Sequence, residues 1–340
     1  MGVQARSKTD TAARLPVEND IKEVDLYDEP LKPQGTAQKR EIIWPTTIYF
    51  IVFHTLAAIA VIFFLKNVKF LTIIWSLLVG FIGQFGVTAG VHRYYTHKSY
   101  KAKIPLQIIL LACYSVAGQY RVVDWVHDHR LHHKFSDTDG DPHNASRGLF
   151  FSHIGWLMQR GHPEVERRSK TIDMSDIDND PLVQFHTKFY WFFKITMCFI
   201  IPIIVPVYLW NENWIESIFV AGALRFVIFT NMTFSINSIA HFFGTKPYDK
   251  RIKSAQNMAL SFLTTGEGWH NYHHAFPWDY RAEEYGGNMT NATTIVLDWF
   301  AKIGWAYDRK TPSSDLIRRV ATTHGDGSWQ EVPVTEAKCN

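Results

Sequence analysis

Two stretches near the start of the chain, residues 42–65 and 70–91, contain no Asp, Glu, Lys or Arg. Charged residues make up 20% of the chain, so a window of this length lacks them by chance in roughly 0.5% of cases. Each stretch exceeds the ~18 apolar residues that indicate a transmembrane helix. Because only residues 66–69 separate the two stretches, they are predicted to form a helical hairpin.

A second hydrophobic pair follows later in the chain. Residues 195–211 carry no charge, and the aromatic run 189–193 extends that stretch backward. A short turn leads into a further apolar stretch that Arg225 interrupts. An arginine at membrane depth is costly, so we expect Arg225 to face the bundle interior in a structural role. The predicted spans cover about residues 45–65, 70–91, 189–210 and 215–240.

The composition excludes other classes of protein. The mean hydropathy of −0.11 averages the apolar hairpins with a polar remainder, and so describes neither part. A net charge of +3 without a long basic run does not fit a nucleic-acid binder. Three scattered cysteines exclude a disulfide scaffold and a thiolate zinc finger. The most informative count is therefore that of the histidines, of which there are 16.

Most of the chemistry is concentrated in three short histidine motifs and one further histidine. They are His92-x4-His97, His129-x2-His132-His133, His270-x2-His273-His274 and His241. On a helix, positions i, i+3 and i+4 share one face, so each HxxHH motif can present three imidazoles together. The HxxxxH pair lies about 140° apart on an α-helix, and can meet only at a helix end or from separate directions. So many imidazoles exceed the capacity of one ion, which predicts two metals.

The remaining histidines are expected to have other roles. Isolated histidines are more often surface or core residues than ligands. His127 is expected to lie off the ligand-bearing face of its helix, and His143 is expected to fix a loop. The seven histidines left out of the metal site are His54, His127, His143, His153, His162, His186 and His324.

The topology follows from the requirement that all ligands lie on one side of the membrane. A fifth span at residues 104–120 would separate the first two motifs, so this stretch is predicted to be an interfacial helix. Lys and Arg are concentrated on the histidine-bearing side, which makes that side cytosolic by the positive-inside rule. The sequons at Asn144, Asn288 and Asn291 are then expected to be unglycosylated.

The histidine boxes, together with the strings 139–144, 266–268 and 276–280, resemble those of membrane fatty acyl-CoA desaturases. The resemblance covers about residues 40–310 and is closest to the animal Δ9-type group, the insect enzymes in particular. It implies an all-α integral membrane protein with four transmembrane helices in two hairpins and a cytosolic helical cap. The cap would hold two iron ions through nine histidines, with Asn237 acting through a water: His92, His97, His129, His132, His133, His241, His270, His273 and His274.

The resemblance also implies substrate-binding positions. Gln119, Trp125 and Thr233 match residues that form the kink of a hydrophobic tunnel. Asp128 and Arg160 match positions at the acyl-CoA end, and Gly80 and Gln84 lie where the tunnel ends. A glycine at position 80 is expected to lengthen the cavity. Departures from the family pattern at the acyl-CoA end are Tyr120, His127, Gly161 and Phe234.

The implied activity is an O2-dependent acyl-CoA desaturase that introduces a double bond into a saturated acyl chain. Electrons would come from NADH through cytochrome b5 reductase and cytochrome b5, at the endoplasmic reticulum membrane with both termini and the active site cytosolic. A lipid hydroxylase, a desaturase of another lipid and a membrane metal transporter remain as alternatives. Residues 1–41 are predicted as a polar N-terminal segment, 42–310 as the desaturase domain, with a cap of 92–188 and 241–310, and 311–340 as a polar, loosely ordered tail.

Overall fold

The computed structural model describes residues 41–284 and 290–330, and these residues are mostly helical. Among them, four helices are long and apolar enough to cross a membrane. We call them spans 1 to 4, and they cover Trp44–Phe64, Phe70–Thr96, Tyr190–Trp210 and Trp214–Phe242. The predicted all-α membrane fold with four transmembrane helices is confirmed. The predicted N-terminal segment lies, except for Glu41, outside the described residues.

Spans 1 and 2 each combine an α-helix with a wider π-helical segment. Span 1 consists of α1 (Trp44–Ile59) and the π segment Ala60–Phe64, and span 2 of α2 (Phe70–Phe85) and the π segment Gly86–Thr96. Pro45 lies in the first turn of α1, where its missing N–H costs nothing. The π segment of span 2 carries the first histidine box.

Helix α3 (Ile104–Ala117) packs directly on span 2 and leads into α4 (Val122–Phe135) through a bend of 87°. Gly83 and Gly86 make the close approach possible. A Cβ atom at Gly83 would lie 2.9 Å from the Ala117 amide nitrogen, and one at Gly86 would lie 2.1 Å from the Tyr114 amide nitrogen. Gly118, with φ of +66°, ends α3 in the left-handed conformation. The interfacial position of α3 stays a prediction.

Short helices connect α4 to span 3. They are the 3₁₀ turns Ala145–Arg147 and Gly155–Met158, α5 (Leu149–His153), α6 (Pro163–Ser169), α7 (Ser175–Asp178) and α8 (Pro181–Lys188). Asn144 is buried and accepts a hydrogen bond from the Ser146 amide. Asn291, in a second sequon, is buried and caps a later helix in the same way, and Asn288 lies outside the described residues.

The second hairpin also alternates between α- and π-helical segments. Span 3 comprises α9 (Tyr190–Phe193), the π segment Lys194–Ile200 and α10 (Ile201–Trp210). Span 4 comprises α11 (Trp214–Ser217), the π segment Ile218–Leu224, α12 (Arg225–Asn237) and α13 (Ile239–Phe242). Ser238 lies between α12 and α13 and separates them, with φ of −116° and ψ of −78°.

Arg225 is 3% exposed and donates hydrogen bonds to backbone carbonyls from three helices. Its Nε binds Ala221 O at 2.8 Å, and its terminal nitrogens bind Cys198 O and Val116 O. The C-terminal carbonyls of α3 carry partial negative charge, which makes them suitable acceptors for a buried cation. Arg225 therefore joins α3 to spans 3 and 4, in agreement with its predicted structural role.

The C-terminal part of the described chain contains α14 (Met258–Leu263), α15 (His270–Ala275), α16 (Ala292–Lys302) and α17 (Ser314–His324). Strands β1 (Lys101–Ala102) and β2 (Ala306–Tyr307) pair antiparallel. The prediction of a loosely ordered tail from residue 311 is wrong for α17. Ile317 and Ala321, four residues apart, are buried against Tyr248, Tyr272 and Phe276.

The turns of the two hairpins are joined by Glu212, which is 4% exposed. Its Oε2 accepts hydrogen bonds from the Lys69 amide at 2.9 Å and from the Thr72 hydroxyl. Lys69 precedes α2, so a carboxylate from the second hairpin caps the N-terminus of a helix in the first, where negative charge is favoured. A second hydrogen bond joins the same two turns, because the Lys69 ammonium donates to Trp210 O at 2.8 Å.

We predict that Glu212→Ala lowers the free energy of unfolding by about 2 kcal/mol, because several hydrogen bonds to one carboxylate are lost together. Thermal unfolding of the purified protein in detergent measures the change. Glu164→Ala is the control, since Glu164 forms an exposed pair with Arg167 that contributes little. Equal melting temperatures for Glu212→Ala and the unsubstituted protein would contradict the proposed clamp.

Candidate metal centre

The eight box histidines and His241 converge in two groups. Within each group the candidate ligand nitrogens all lie within 4.8 Å of one another. Group A contains His92, His97, His129, His133 and His273, and group B contains His132, His241, His270 and His274. The rings of His133 and His274 stack with centroids 4.3 Å apart, so the two groups are neighbours. Span 2, α4, α13 and α15 supply the side chains.

The π segment of span 2 explains how His92 and His97 share one group. In a π-helix the backbone hydrogen bond runs from residue i+5 to residue i, and here the His97 amide donates to His92 O at 3.2 Å. The two rings consequently lie 4.9 Å apart. The 140° separation applies to α-helical winding, which this segment does not have, and His97 directly follows the segment, so the two rings meet at a helix end as expected. The HxxHH motifs do lie on the α-helices α4 and α15.

The spacing of the nitrogens suits metal binding. Imidazole nitrogens bind such ions at about 2.1 Å, so two ligands at right angles are about 3.0 Å apart. The Nε2 atoms are separated by 2.9 Å (His92–His273), 3.0 Å (His133–His273) and 3.2 Å (His97–His129) in group A, and by 3.0 Å (His241–His270), 3.1 Å (His270–His274) and 3.3 Å (His132–His274) in group B. Each group therefore has the dimensions of neighbouring ligands around one ion.

The imidazoles are held in the form that binds metals. Burial is the main cause that lowers the pKa of each of the following ligands well below its ordinary value, and nearby histidines add to the effect: His97, His129, His132, His133, His270, His273 and His274. At neutral pH these side chains are uncharged, and neutral imidazole is the ligand for iron, zinc and copper.

Buried carboxylates fix the orientation of two rings. Glu267 Oε2 lies 2.8 Å from His92 Nδ1, and Asp141 Oδ2 lies 2.9 Å from His132 Nδ1. Burial alone would raise the pKa of Glu267, but the Arg93 guanidinium and His92 hold it at about 2. The ionised Glu267 keeps the proton on His92 Nδ1 and directs the Nε2 lone pair of that ring into the group. Burial raises the pKa of Asp141 well above its ordinary value, although the Asp137 and His143 amides donate hydrogen bonds to its oxygens and oppose that shift.

Three of the predicted tunnel residues hydrogen-bond to one another beside group A. Trp125 Nε1 donates to Gln119 Oε1 at 2.9 Å, and Gln119 Nε2 donates to Thr233 Oγ1 at 2.9 Å. The Trp125 ring lies 4.8 Å from that of His129. Trp125 thus contacts both this polar cluster and the metal group.

Comparison with known proteins identifies the family. The fatty acid desaturase family model matches residues 67–283. The chain is 49% identical to an acyl-CoA Delta(11) desaturase of Spodoptera littoralis, with 88% of each chain covered. It is 47% identical to an acyl-CoA Delta-9 desaturase of Acheta domesticus, covering 86% of this chain and 81% of the relative. It is 43% identical to human stearoyl-CoA desaturase, covering 92% and 86%.

The chain belongs to the fatty acid desaturase family. The resemblance predicted from the histidine boxes is confirmed, and the enzyme class, a desaturase, is confirmed with it. The family is metal-dependent, and groups A and B are clusters able to bind metal.

Sequence reasoning did not assign roles to the carboxylates of this desaturase. Glu267 and Asp141 lie in strings next to the boxes, and that proximity was the available signal. Asp137, whose Oδ1 lies 3.3 Å from His241 Nδ1, gave no such signal. His143 lies 3.6 Å from Asp141 and its ring is 4.2 Å from that of His132. We interpret it as support for group B, because His132 already belongs to that group.

The other histidines have partners outside groups A and B. His127 binds Ser169, His162 accepts from the Glu164 amide, and His186 binds Ser115. His54 and His153 both bind Asn231. His324 ends α17. Within the part of the chain that the structure describes, none of these side chains is a member of groups A or B.

Asn237 and His241 do not lie on one continuous helix, because Ser238 separates α12, which ends at Asn237, from α13. The role of Asn237 through a water stays a prediction. At the predicted tunnel end, Gln84 is buried, but Gly80 does not open a space. A Cβ atom at Gly80 would lie 1.9 Å from the Phe229 ring, which fills that volume.

At the predicted acyl-CoA end, Arg160 is exposed and pairs with Glu41 at 2.8 Å. Asp128 lies 3.4 Å from His127 Nδ1. Burial raises the pKa of Asp128, and the contact with His127 opposes that shift. His127, a departure from the family pattern, is therefore a direct neighbour of Asp128. Phe234, a second departure, packs against Phe50 and Ile154.

We predict that Glu267→Gln weakens metal binding by group A about 10- to 100-fold. If the amide oxygen of the introduced Gln accepts from Arg93, its NH2 group faces His92 Nδ1. An NH2 donor at that position favours the tautomer of His92 that has its proton on Nε2, the nitrogen that should bind the metal. Metal content after dialysis against graded chelator measures the loss. Glu164→Gln, at an exposed ion pair, is the control. Unchanged metal retention in a folded Glu267→Gln variant would contradict the role of this carboxylate.

Proposed function

We propose that this chain is an O2-dependent acyl-CoA desaturase with two iron ions, one in each histidine group. The observation that carries the proposal is the position of Trp125, which links group A to the Gln119–Thr233 pair. A saturated chain bent around that pair would pass beside a metal site. Relatives named as acyl-CoA Delta(11), acyl-CoA Delta-9 and stearoyl-CoA desaturases support an acyl-CoA substrate.

The proposed reaction breaks one C–H bond on each of two neighbouring methylenes and forms a C=C bond. Two electrons and two protons leave the substrate, two further electrons and two protons are supplied, and O2 is reduced to two waters. The two irons, when bound, supply with O2 the oxidising power that no side chain has. Cytochrome b5, reduced by its NADH-dependent reductase, is the proposed electron donor at the endoplasmic reticulum membrane, with the site facing the cytosol.

The protein's own part is binding, orientation and exclusion of water. The nine clustered histidines would hold the irons, with Asn237 assisting through a water. Glu267 keeps the Nδ1 proton of His92 in place, so that the opposite nitrogen stays available, and Asp141 orients the His132 ring from 2.9 Å. Five of the nine histidines are buried and four are half-buried, which would limit access of water to the reacting methylenes.

Substrate selection is assigned to two ends of the proposed tunnel. The Trp125–Gln119–Thr233 cluster would fix which carbons lie beside the metals, because a rigid bend sets the register of a flexible chain. Asp128 and Arg160 would contact the acyl-CoA end from different environments, since Asp128 is half-buried and Arg160 is exposed. Gln84 and the Phe229 ring over Gly80 would form the far end.

Expression in yeast that lacks its own desaturase tests the activity. We predict new unsaturated fatty acids, with the double-bond position read by mass spectrometry, and their loss in His270→Ala, which removes a group B imidazole. The Glu164→Gln variant is expected to retain the products. Absence of unsaturated acids at equal expression would contradict the proposal, and hydroxylated acids would favour the hydroxylase alternative.

Chain-length selection is tested at Phe229. We predict that Phe229→Ala shifts the products toward longer acyl chains, because it opens the volume that the ring fills beside Gly80. Gly80→Ala alone should destabilise the fold by about 1–3 kcal/mol through overpacking. The double variant Gly80→Ala with Phe229→Leu should recover stability. An unchanged chain-length profile for active Phe229→Ala would rule out Phe229 as the tunnel end.

A further inference from the structure

We propose that a chain of four hydrogen-bonded side chains, which begins in span 1 and ends at the break before α13, positions His241 for metal binding. The four residues are His54, Asn231, His153 and Ser238, and we call them the positioning relay. The inference rests on the proposed assignment of His241 as a metal ligand. It gives a role to two histidines that belong to neither metal group.

The relay is continuous across three elements. His54 Nε2 in span 1 lies 3.1 Å from Asn231 Nδ2 in α12. Asn231 Oδ1 lies 2.9 Å from His153 Nε2 in α5. His153 Nδ1 lies 2.8 Å from Ser238 Oγ, at the break between α12 and α13. Each link has the length of a well-formed hydrogen bond.

One arrangement of protons satisfies every link with both imidazoles neutral. His54 Nδ1 lies 2.8 Å from Phe50 O, an acceptor, so this nitrogen carries the proton and Nε2 accepts from the Asn231 amide. The Asn231 amide also donates to Val227 O at 2.7 Å. Its Oδ1 accepts from His153 Nε2–H, and His153 Nδ1 accepts from the Ser238 hydroxyl. No link requires a charge at membrane depth.

His241 depends on the backbone around Ser238 more than the other oriented ligands do. It lies on α13, a helix of only four residues, and its amide donates to Ser238 O at 2.8 Å. Its contact with Asp137 is 3.3 Å long, and neither atom of that pair makes a hydrogen bond within the described residues. His92 and His132, by contrast, have carboxylates at 2.8 and 2.9 Å.

Two contacts therefore fix the short helix that presents His241. At one side the Ala255 amide donates to Ala240 O at 2.7 Å. At the other, the Ser238 hydroxyl donates its one proton to His153 Nδ1, while Phe234 O, 3.1 Å from the same oxygen, is the alternative acceptor. Without His153, the Ser238 hydroxyl can donate only along its own helix, to Phe234 O. The break can then relax, and the ring of His241 moves relative to His270 and His274.

The test uses variants that separate the two ends of the His153 ring. Asn places a side-chain oxygen near the position of His Nδ1, and Gln places its amide near the position of Nε2. His153→Asn can therefore keep the bond from Ser238, whereas His153→Gln keeps only the bond to Asn231. Ser238→Ala removes the same contact from the other side, and His241→Ala shows the effect of losing the ligand itself.

Ser115→Ala is the matched control. Ser115 donates to the carbonyl of Leu111 four residues earlier and binds His186 at 2.8 Å, as Ser238 binds Phe234 and His153. The control thus breaks an equivalent Ser–His contact away from the metal groups. Each full-length variant is purified in detergent, loaded anaerobically with Fe2+ and checked for folding by size exclusion and thermal unfolding.

The readouts are the iron content per chain and the rate of iron release to a chelator. We expect two irons per chain for the unsubstituted protein, Ser115→Ala and His153→Asn. We expect Ser238→Ala and His153→Gln to approach the value of His241→Ala, or to release one iron about 10-fold faster. A shift in melting temperature alone would not produce this pattern.

Two irons with unchanged release rates in folded Ser238→Ala and His153→Gln would overturn the relay. Equal iron loss in Ser115→Ala would also overturn it, because the effect would then be general loosening. An unsubstituted protein that binds no iron would instead contradict the proposed function. The failure of the inference and the failure of the function are in this way distinguishable.

Discussion

The structure depends on bringing nine imidazoles into two clusters in which their nitrogens face one another, while burial lowers the pKa of seven of them. Where the ionised Glu267 holds the Nδ1 proton of His92, the lone pair of Nε2 points toward the Nε2 of His273 at 2.9 Å. Facing lone pairs at that distance repel unless a cation or a proton lies between them. Burial disfavours the proton, so the cluster is built for cations.

That constraint determines how polar groups are used in the rest of the molecule. Arg93 neutralises the carboxylate that orients His92, and its own burial is tolerable because Glu267 pairs with it. Arg225 is paired with carbonyls and Glu212 with amide and hydroxyl donors. In a medium without water, each such group must find its partners inside the protein, and the helices are joined where they do.

The sequence predicts those features whose signal is local. Charge-free runs indicate the spans, and the i, i+3, i+4 spacing predicts two of the three boxes. It does not predict the π segment that brings His92 to His97, because α-helical periodicity is the wrong rule there. The sequence also does not predict contacts between residues that are far apart in the chain. Phe229 fills the volume beside Gly80, and Glu267 lies 174 residues after Arg93, so only the folded chain shows either pairing.

The division of the histidines into five and four makes the two groups chemically unequal. An ion in group B has one imidazole fewer than an ion in group A, and therefore more of its coordination sphere is left to water or other small ligands. Group B also contains His241, the ligand on the shortest helix, whose contact with Asp137 is longer than the carboxylate contacts of His92 and His132. The group with fewer imidazoles thus contains the ligand with the longer carboxylate contact, and the proposed polar chain from His54 to Ser238 would support that ligand.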